Sequence, residues 1–238
     1  MNELDKNAVR LMKPEYRDHD PTYEAKEAWY LSADQLATFR QCPASYRRQQ
    51  RQGFAGNCGD ALRQALRSQL GICRPSVPVR LPRGESLAVL RMHESVTAHQ
   101  VARSLLAGAK AAPILRANLG PLPSQTRLDW LIGAERLVRL VTPPTLARFE
   151  HWAWLHHEIH AAAFQRRLVE EVLGGSPVCT LLAVEAQEPY RTGLWEISSE
   201  TLALAERDNE DAIDRLVAFQ TYDLWPTGYE QVRMLAVH

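Results

Sequence analysis

The chain has 238 residues, of which 45% are hydrophobic and 24% are charged, and its 28 basic residues balance its 28 acidic ones. This composition is ordinary for a globular protein, and the length allows a sizeable core. No apolar run approaches the roughly 18 residues that a membrane helix needs, and residues 1–20 lack the apolar stretch of a secretory signal. We therefore expect a cytoplasmic protein that does not contact a membrane.

The zero net charge conceals an asymmetry along the chain. Residues 40–83 contain nine arginines, no lysine and one acid, Asp60, whereas residues 185–214 contain nine acids and two arginines. Such polarity favours a basic surface for a polyanion or head-to-tail contacts between subunits, and solvated helix faces are the alternative. Because the guanidinium fork suits phosphate oxygens, we predict polyanion contacts from Arg40, Arg47, Arg48, Arg51, Arg63 and Arg67.

Several common functional motifs are absent. The four cysteines form no C-x-x-C pair, so a zinc knot is not expected. His156 and His160 are four residues apart, as on one helix face, but the H-E-x-x-H order of zinc proteases is missing. No P-loop, dinucleotide-binding turn or nucleophile elbow occurs. The motifs therefore support neither nucleotide hydrolysis, nor dinucleotide redox chemistry, nor serine esterase chemistry.

The N-terminal part begins with an arm. Residues 1–28 have two prolines and no steady period, which predicts a loose arm before a single domain at residues 29–238. Ser32 and Gln35 form a capping-box pattern that starts a helix, and Pro43 ends or bends it.

Three further segments precede residue 109. Leucines at four-residue steps predict a helix over residues 59–71, and three prolines predict an extended loop over residues 72–84. A helix in one or two pieces fits residues 85–108. Residues 108–126 fit either a strand or a turn-rich connection.

The next segment is typical of a tight β-hairpin. We predict one strand over residues 127–132, a corner at Gly133 and Ala134, and a second strand over residues 136–142. Two prolines then stop the second strand.

The C-terminal part predicts a long helix over residues 145–175 and a strand over residues 178–185 that is buried on both faces. Residues 192–198 alternate and should pair with that strand, and residues 198–222 form an amphipathic helix that begins at serines. The order of elements predicts one α/β domain with a small mixed β-sheet flanked by helices.

Five segments follow one another along the chain: YLSADQLATFRQCPASYRR, GDALRQAL, TRLDWLIG, LLAVEAQEPYRTGLWEIS and YDLWPTGY. In this order they resemble segments of the phage-encoded RecE-type exonucleases (exonuclease VIII), a branch of the PD-(D/E)XK nuclease superfamily. The likeness covers roughly residues 30–230 and implies a PD-(D/E)XK nuclease-like core with a helical N-terminal portion.

The resemblance also implies a site for metal-dependent cleavage. In that family, carboxylates on the hairpin hold a divalent metal, and a lysine two residues after the second acid orients the attacking water. The first acid matches Asp129, whereas the second acid and the lysine fall on Arg139 and Val141. The family's histidine, helix acid and Gln-x-x-x-Tyr pair fall on Arg63, Ala111, Ala161 and Gln165.

These replacements predict that the metal chemistry is lost. Arg139 places a fixed positive charge where a carboxylate should bind metal, and at ~4 Å the repulsion is a few kcal/mol for an effective dielectric constant near 20. Val141 cannot position water. We expect no cofactor, no metal unless at Asp129, and an ion pair of Arg139 with Asp129 across the hairpin. A migrated site would need ligands from Glu135, Glu150 or Glu158.

Three functional hypotheses follow. The first is a catalytically inactive, RecE-like phage or prophage protein that binds DNA or a recombination or defence protein. Because the active relatives form rings around DNA, the resemblance implies self-association. The second is a protein-interaction or decoy module that acts on a host nuclease without contacting DNA. The third is a magnesium-dependent 5′–3′ double-strand DNA exonuclease with a rearranged active site.

Overall fold

In the computed structural model, the described residues are 14–17, 30–52, 62, 66 and 83–231. Their helices are α1 (Ala33–Gln41), α2 (Pro43–Gln52), α3 (Arg83–Ala98), α4 (Gln100–Ala107), α5 (Phe149–Leu155), α6 (Glu158–Leu173) and α7 (Ser199–Tyr222). Their strands are β1 (Glu15–Arg17), β2 (Lys110–Ala111), β3 (Ile114–Leu119), β4 (Leu122–Arg127), β5 (Trp130–Ile132), β6 (Arg136–Val141), β7 (Val178–Val184) and β8 (Thr192–Glu196).

The strands form two sheets. The larger has the order β2-β5-β6-β7-β8, in which β6 and β7 are parallel and the other neighbours are antiparallel. The smaller is antiparallel, in the order β1-β3-β4. A parallel pair needs a crossover connection, which α5 and α6 supply between β6 and β7. The predicted α/β fold, a small mixed sheet flanked by helices, is confirmed.

The centre of the larger sheet is covered on both faces. Leu181 of β7 is 2% exposed and packs in a cluster with residues of α1, α6 and α7. Leu182 points to the other face, is 0% exposed, and packs in a cluster with residues of α3 and α4. Because successive side chains of a strand alternate between faces, the nearly all-apolar sequence of β7 follows from this double burial, as predicted.

The predicted capping box begins α1. The Gln35 N–H donates to Ser32 Oγ at 3.3 Å, and the Ser32 N–H donates to Gln35 Oε1 at 3.0 Å. Pro43 does more than end this helix, because it is the first residue of α2, where its missing N–H costs no intrahelical bond. Phe39 and Tyr46 hold the two helices together through edge-to-face rings 5.7 Å apart.

The first strand of the predicted hairpin is wrong in its extent. Residues 127–132 divide between the two sheets, since β4 ends at Arg127 and β5 begins at Trp130. The backbone between them is held by earlier residues: the Ala112 N–H donates to the Asp129 carbonyl oxygen at 3.0 Å. The corner at Gly133 and the second strand are confirmed, and Gly133 has the positive φ of 57° that the tight turn requires.

The predicted long helix over residues 145–175 is also wrong, because it is two helices. His157 interrupts the helix between α5 and α6, because its φ of 60° lies in the left-handed region. His156 therefore ends α5 on the surface, whereas His160 is 4% exposed inside α6. The two histidines do not share one continuous helix face.

The remaining predictions divide into confirmed and untested ones. Residues 85–108 form the predicted two-piece helix, and His99 caps the second piece by accepting from the Ala102 N–H at 3.2 Å. Of the helix predicted over residues 59–71, only Leu62 and Leu66 are described, and both are helical and buried. The division into an N-terminal arm and a single domain stays a prediction. In the described part of the chain, no helix has the length and apolarity to cross a membrane.

Candidate functional site

The larger sheet brings two of the predicted site residues side by side. Trp130 pairs with Val138, so Asp129 lies beside Arg139 of the neighbouring strand. Asp129 is 4% exposed, and its Oδ2 accepts the Leu140 backbone N–H at 2.9 Å. The prediction that these two positions meet on the paired strands is therefore correct.

Arg139 has Glu158 as its hydrogen-bonded partner, and Asp129, with which an ion pair was predicted, acts on it through its charge. Both Nε and Nη2 of Arg139 lie 2.8 Å from Oε2 of Glu158, at the start of α6, and Nη2 lies 3.9 Å from Asp34 of α1. The Arg139 and Glu158 side chains are 12% and 19% exposed. The sequence pointed to Glu158 as an alternative metal ligand, but the structure uses it as the counter-ion of Arg139.

Three carboxylates surround this one guanidinium. Burial by itself lowers the pKa of Arg139, but the charges of Glu158, Asp34 and Asp129 outweigh that effect, so the pKa lies above its ordinary value. Arg139 is therefore a permanent cation at the centre of an acidic cluster, which we call the Arg139 cluster.

The Arg139 cluster does not fit a divalent metal. Hard cations such as Mg²⁺ prefer several anionic oxygen ligands, and here the guanidinium of Arg139 occupies Glu158 while a backbone N–H binds one Asp129 oxygen. Among the described residues, no group of three histidine, cysteine, aspartate or glutamate side chains is placed to hold a metal ion. Val141 is 2% exposed within the apolar core, so it supplies no polar atom.

Three of the other positions implied by the resemblance are buried around the same strands. Ala111 of β2 pairs with Trp130, the residue that follows Asp129. Ala161 and Gln165 lie on α6 and are 5% and 3% exposed. Gln165 Nε2 donates to Thr126 Oγ1 at 3.2 Å, so this side chain ties α6 to β4. Arg63, the remaining position, lies outside the described residues.

Two of the arginines predicted to contact a polyanion are ion-paired within the chain. Arg40 of α1 donates to Asp208 at 3.3 Å and to Asn209 at 3.1 Å, and Arg47 of α2 pairs with Asp223. The basic N-terminal region thus neutralises part of the acidic C-terminal one. Arg48 is exposed. The Arg51 side chain, Arg63 and Arg67 lie outside the described residues.

A histidine network that the sequence analysis did not predict adjoins the contact between Arg40 and Asp208. His160 Nε2 lies 3.1 Å from Asp208 Oδ2, and the Asn209 side chain donates to the His160 carbonyl oxygen at 2.8 Å. Burial, followed by the charges of Arg40 and His160, lowers the pKa of His157 to about 4. No local sequence pattern predicts these contacts, because α6 and α7 are far apart along the chain.

A second buried carboxylate follows β7. Glu185 is 2% exposed and accepts from Arg191 Nη2 at 2.6 Å and Nε at 2.9 Å. The Leu146 N–H donates to it at 2.8 Å, and Thr145 and the Arg191 N–H also donate. The Arg191 hydrogen bonds, aided by these donors, lower the pKa of Glu185 to about 2. This carboxylate closes a loop and is fully engaged by its donors.

The sequence matches no family model and no curated protein. A similar solved structure is the crystal structure described as "Putative exonuclease" from Eubacterium rectale, with a TM-score of 0.71 and 10% sequence identity. The match covers 93% of this chain and 96% of that one. This likeness shows the fold, and it confirms the predicted nuclease-like α/β core.

Proposed function

We propose that the chain is a catalytically inactive member of the RecE-like exonucleases that binds DNA. The observation that carries this proposal is the Arg139 cluster, in which an arginine, paired with Glu158, stands where the family has its second metal-binding acid. The exonuclease-like fold supports the proposed membership of this family. The replaced metal ligands support the proposed loss of catalytic activity.

The physical argument concerns charge. Phosphodiester cleavage in this family uses a divalent metal to activate water and to stabilise developing negative charge. A metal ion at Asp129 would face the permanent charge of Arg139 and would compete with it for Glu158. Val141 offers no group to orient water. Among the described residues of the Arg139 cluster, none is placed to perform either of these two functions.

DNA binding is the function that such a protein can retain, because phosphate contacts need only basic side chains. The arginine-rich region supports it through exposed Arg48 and through the predicted contacts of Arg51, Arg63 and Arg67. A ring-like homo-oligomer, as in the active relatives, belongs to the same proposal.

A nuclease assay tests the inactivity. End-labelled duplex DNA is incubated with the protein and magnesium or manganese, and we expect no digestion by the natural chain. Asp129→Ala is the matched variant. Digestion by the natural chain that Asp129→Ala abolishes would show a live exonuclease with a rearranged site, and it would overturn the proposal.

Gel-shift titration tests the binding. We expect affinity for duplex DNA to fall steeply with salt, because each neutralised phosphate releases counterions. Arg48→Ala should weaken binding and reduce the salt dependence. Absence of binding at low salt would contradict the proposal.

A second candidate is a protein-interaction or decoy module that acts on a recombination or defence nuclease. The ion pairs of Arg40 with Asp208 and of Arg47 with Asp223 favour this candidate, because carboxylates of the same chain already neutralise the two arginines. An inactive chain that binds no DNA but inhibits a host nuclease in the same digestion assay would support this candidate over the first.

A further inference from the structure

Four aromatic rings form a continuous column at the surface of the larger sheet. The Trp195 and Phe149 ring centroids are 4.2 Å apart, those of Phe149 and Trp152 are 5.9 Å apart, and those of Trp152 and His156 are 4.7 Å apart. The angles between successive ring planes are 40°, 25° and 30°. The rings are therefore stacked or tilted rather than edge-on, and we call this arrangement the ring column.

The inner end of the ring column is fixed by its surroundings. Trp195 Nε1 donates to Glu150 Oε1 at 2.9 Å, and Phe149 is 1% exposed. Gly193 has no side chain, and a Cβ there would overlap the Trp195 ring. The column is thus preorganised, which lowers the ordering cost of binding.

The outer end of the ring column is His156, and it is exposed. Within the described residues, Trp152 is the one ring that stacks on it. A flat ligand ring can add to its outer face and extend the column by one layer.

The helix face beside the column is basic and aromatic. With the spacing of one helix face, positions 148, 151, 152, 155 and 156 carry arginine, histidine, tryptophan, leucine and histidine, and none is an acid. Arg148, His151 and Leu155 are exposed, Leu155 by 61%. The positive charge of Arg148 suits a phosphate group.

Along the chain, this face is followed by a residue of the Arg139 cluster. His156 is two residues before Glu158, which binds Arg139. A strand that lies along α5 would therefore approach the site where the family's relatives act on DNA.

We infer that the ring column is a stacking platform for single-stranded DNA, with an unpaired nucleobase on the outer face of His156 and the phosphate backbone near Arg148. The inference rests on the proposed DNA-binding function and assigns it a surface. Every nucleobase has a flat face, so such a platform is tolerant of sequence.

The test compares two oligonucleotides. Fluorescence anisotropy measures the affinity of the full chain for a labelled oligothymidylate and for an abasic strand of the same length, which keeps the phosphates but cannot stack. The ratio of the two affinities isolates stacking. We expect His156→Ala to reduce this ratio about tenfold, equivalent to about 1.4 kcal/mol, and His156→Phe to preserve it.

His151→Ala is the matched control, because it removes an exposed histidine of the same helix face that is not one of the stacked rings, so any lost phosphate contact lowers both affinities equally. It should leave the ratio unchanged. Equal affinity of the natural chain for both oligonucleotides, an unchanged ratio in His156→Ala, or no binding of single strands would each overturn the inference. If duplex binding persists in those cases, the proposed function stands, and if it is also absent, both fail.

Discussion

Two arginine–glutamate pairs lie at β6 and β7, the central parallel strands of the sheet, and they differ in which partner is buried. Arg139 of β6 is 12% exposed and pairs with Glu158, which comes from a separate helix. Glu185, which directly follows β7, is 2% exposed and pairs with Arg191, which is 59% exposed. The first pair buries a cation, whereas the second buries an anion.

The difference sets how strongly each pair depends on its partner. Glu185 accepts hydrogen bonds from the Leu146 and Arg191 backbone N–H groups and from Thr145, so much of its negative charge is satisfied without a second charge. Among the described residues, the groups that balance the charge of Arg139 are the carboxylates of Glu158, Asp34 and Asp129. Pairing explains why an arginine is tolerated at the Arg139 cluster.

The largest expected effect is on the buried cation. Arg139→Ala leaves the surrounding carboxylates without their counter-ion, and it should reduce the free energy of unfolding by about 3 kcal/mol. Urea denaturation at neutral pH measures the loss. Arg136→Ala on the same strand is the control, because its pair with Glu196 is partly exposed (side chains 31% and 61%) and should cost less than about 1 kcal/mol. Equal losses would contradict the distinction.

Removing both members of the pair should cost less than removing the cation. In Arg139→Met/Glu158→Met no buried charge is stranded at this pair, and we expect most of the lost stability to return. Adding the single variants Arg139→Met and Glu158→Met completes a double-mutant cycle, which gives the coupling energy between the two side chains. A double variant less stable than Arg139→Ala would show that the stranded charge of Glu158 is not the cause of the loss.

The next effect is on the buried anion. Glu185→Ala should cost about 2 kcal/mol, because it leaves the Leu146 N–H without its acceptor. Arg191→Ala should cost less than Glu185→Ala, since Arg191 is mostly exposed and Glu185 keeps its other donors. Thermal and urea unfolding of the two variants rank them, and the reverse order would refute the comparison.

Local sequence patterns predicted the elements whose causes are local. The capping box of Ser32 and Gln35, the double burial of β7 and the serine start of α7 all follow from side chains within one element. The break at His157 was missed because no proline or glycine marks it, and tertiary packing holds a histidine in a left-handed conformation there. The split at Asp129 was missed because apolar patterning does not show a change of sheet.

In the candidate site, too, contacts within one local element were predictable, whereas contacts between distant elements were not. Strand pairing placed Asp129 beside Arg139, since both belong to one hairpin. The partner of Arg139 was not predictable, because Glu158 reaches it from a helix whose start depends on the unmarked break. The contact of Arg40 with Asp208 spans 168 positions, and no local pattern encodes it.

The smallest effect is a pH dependence that separates the two pairs. The pKa of Glu185 is lowered from 4.5 to about 2 by its donors, so this group stabilises the fold above its unfolded pKa, and that stabilisation is lost as pH falls from about 4.5 to 2. Glu185→Gln should have a lower free energy of unfolding than the natural chain at neutral pH. The difference between the two should become smaller as the pH falls from about 4.5 to 2. The pKa of Arg139 is raised, so Arg139 stays positively charged over the whole of this pH range. Titration of Arg139 should therefore not change the stability difference between Arg139→Met and the natural chain in this range. Urea midpoints measured across this range test both expectations, and a gap for Glu185→Gln that is constant with pH would show that its carboxylate is not stabilised in the fold.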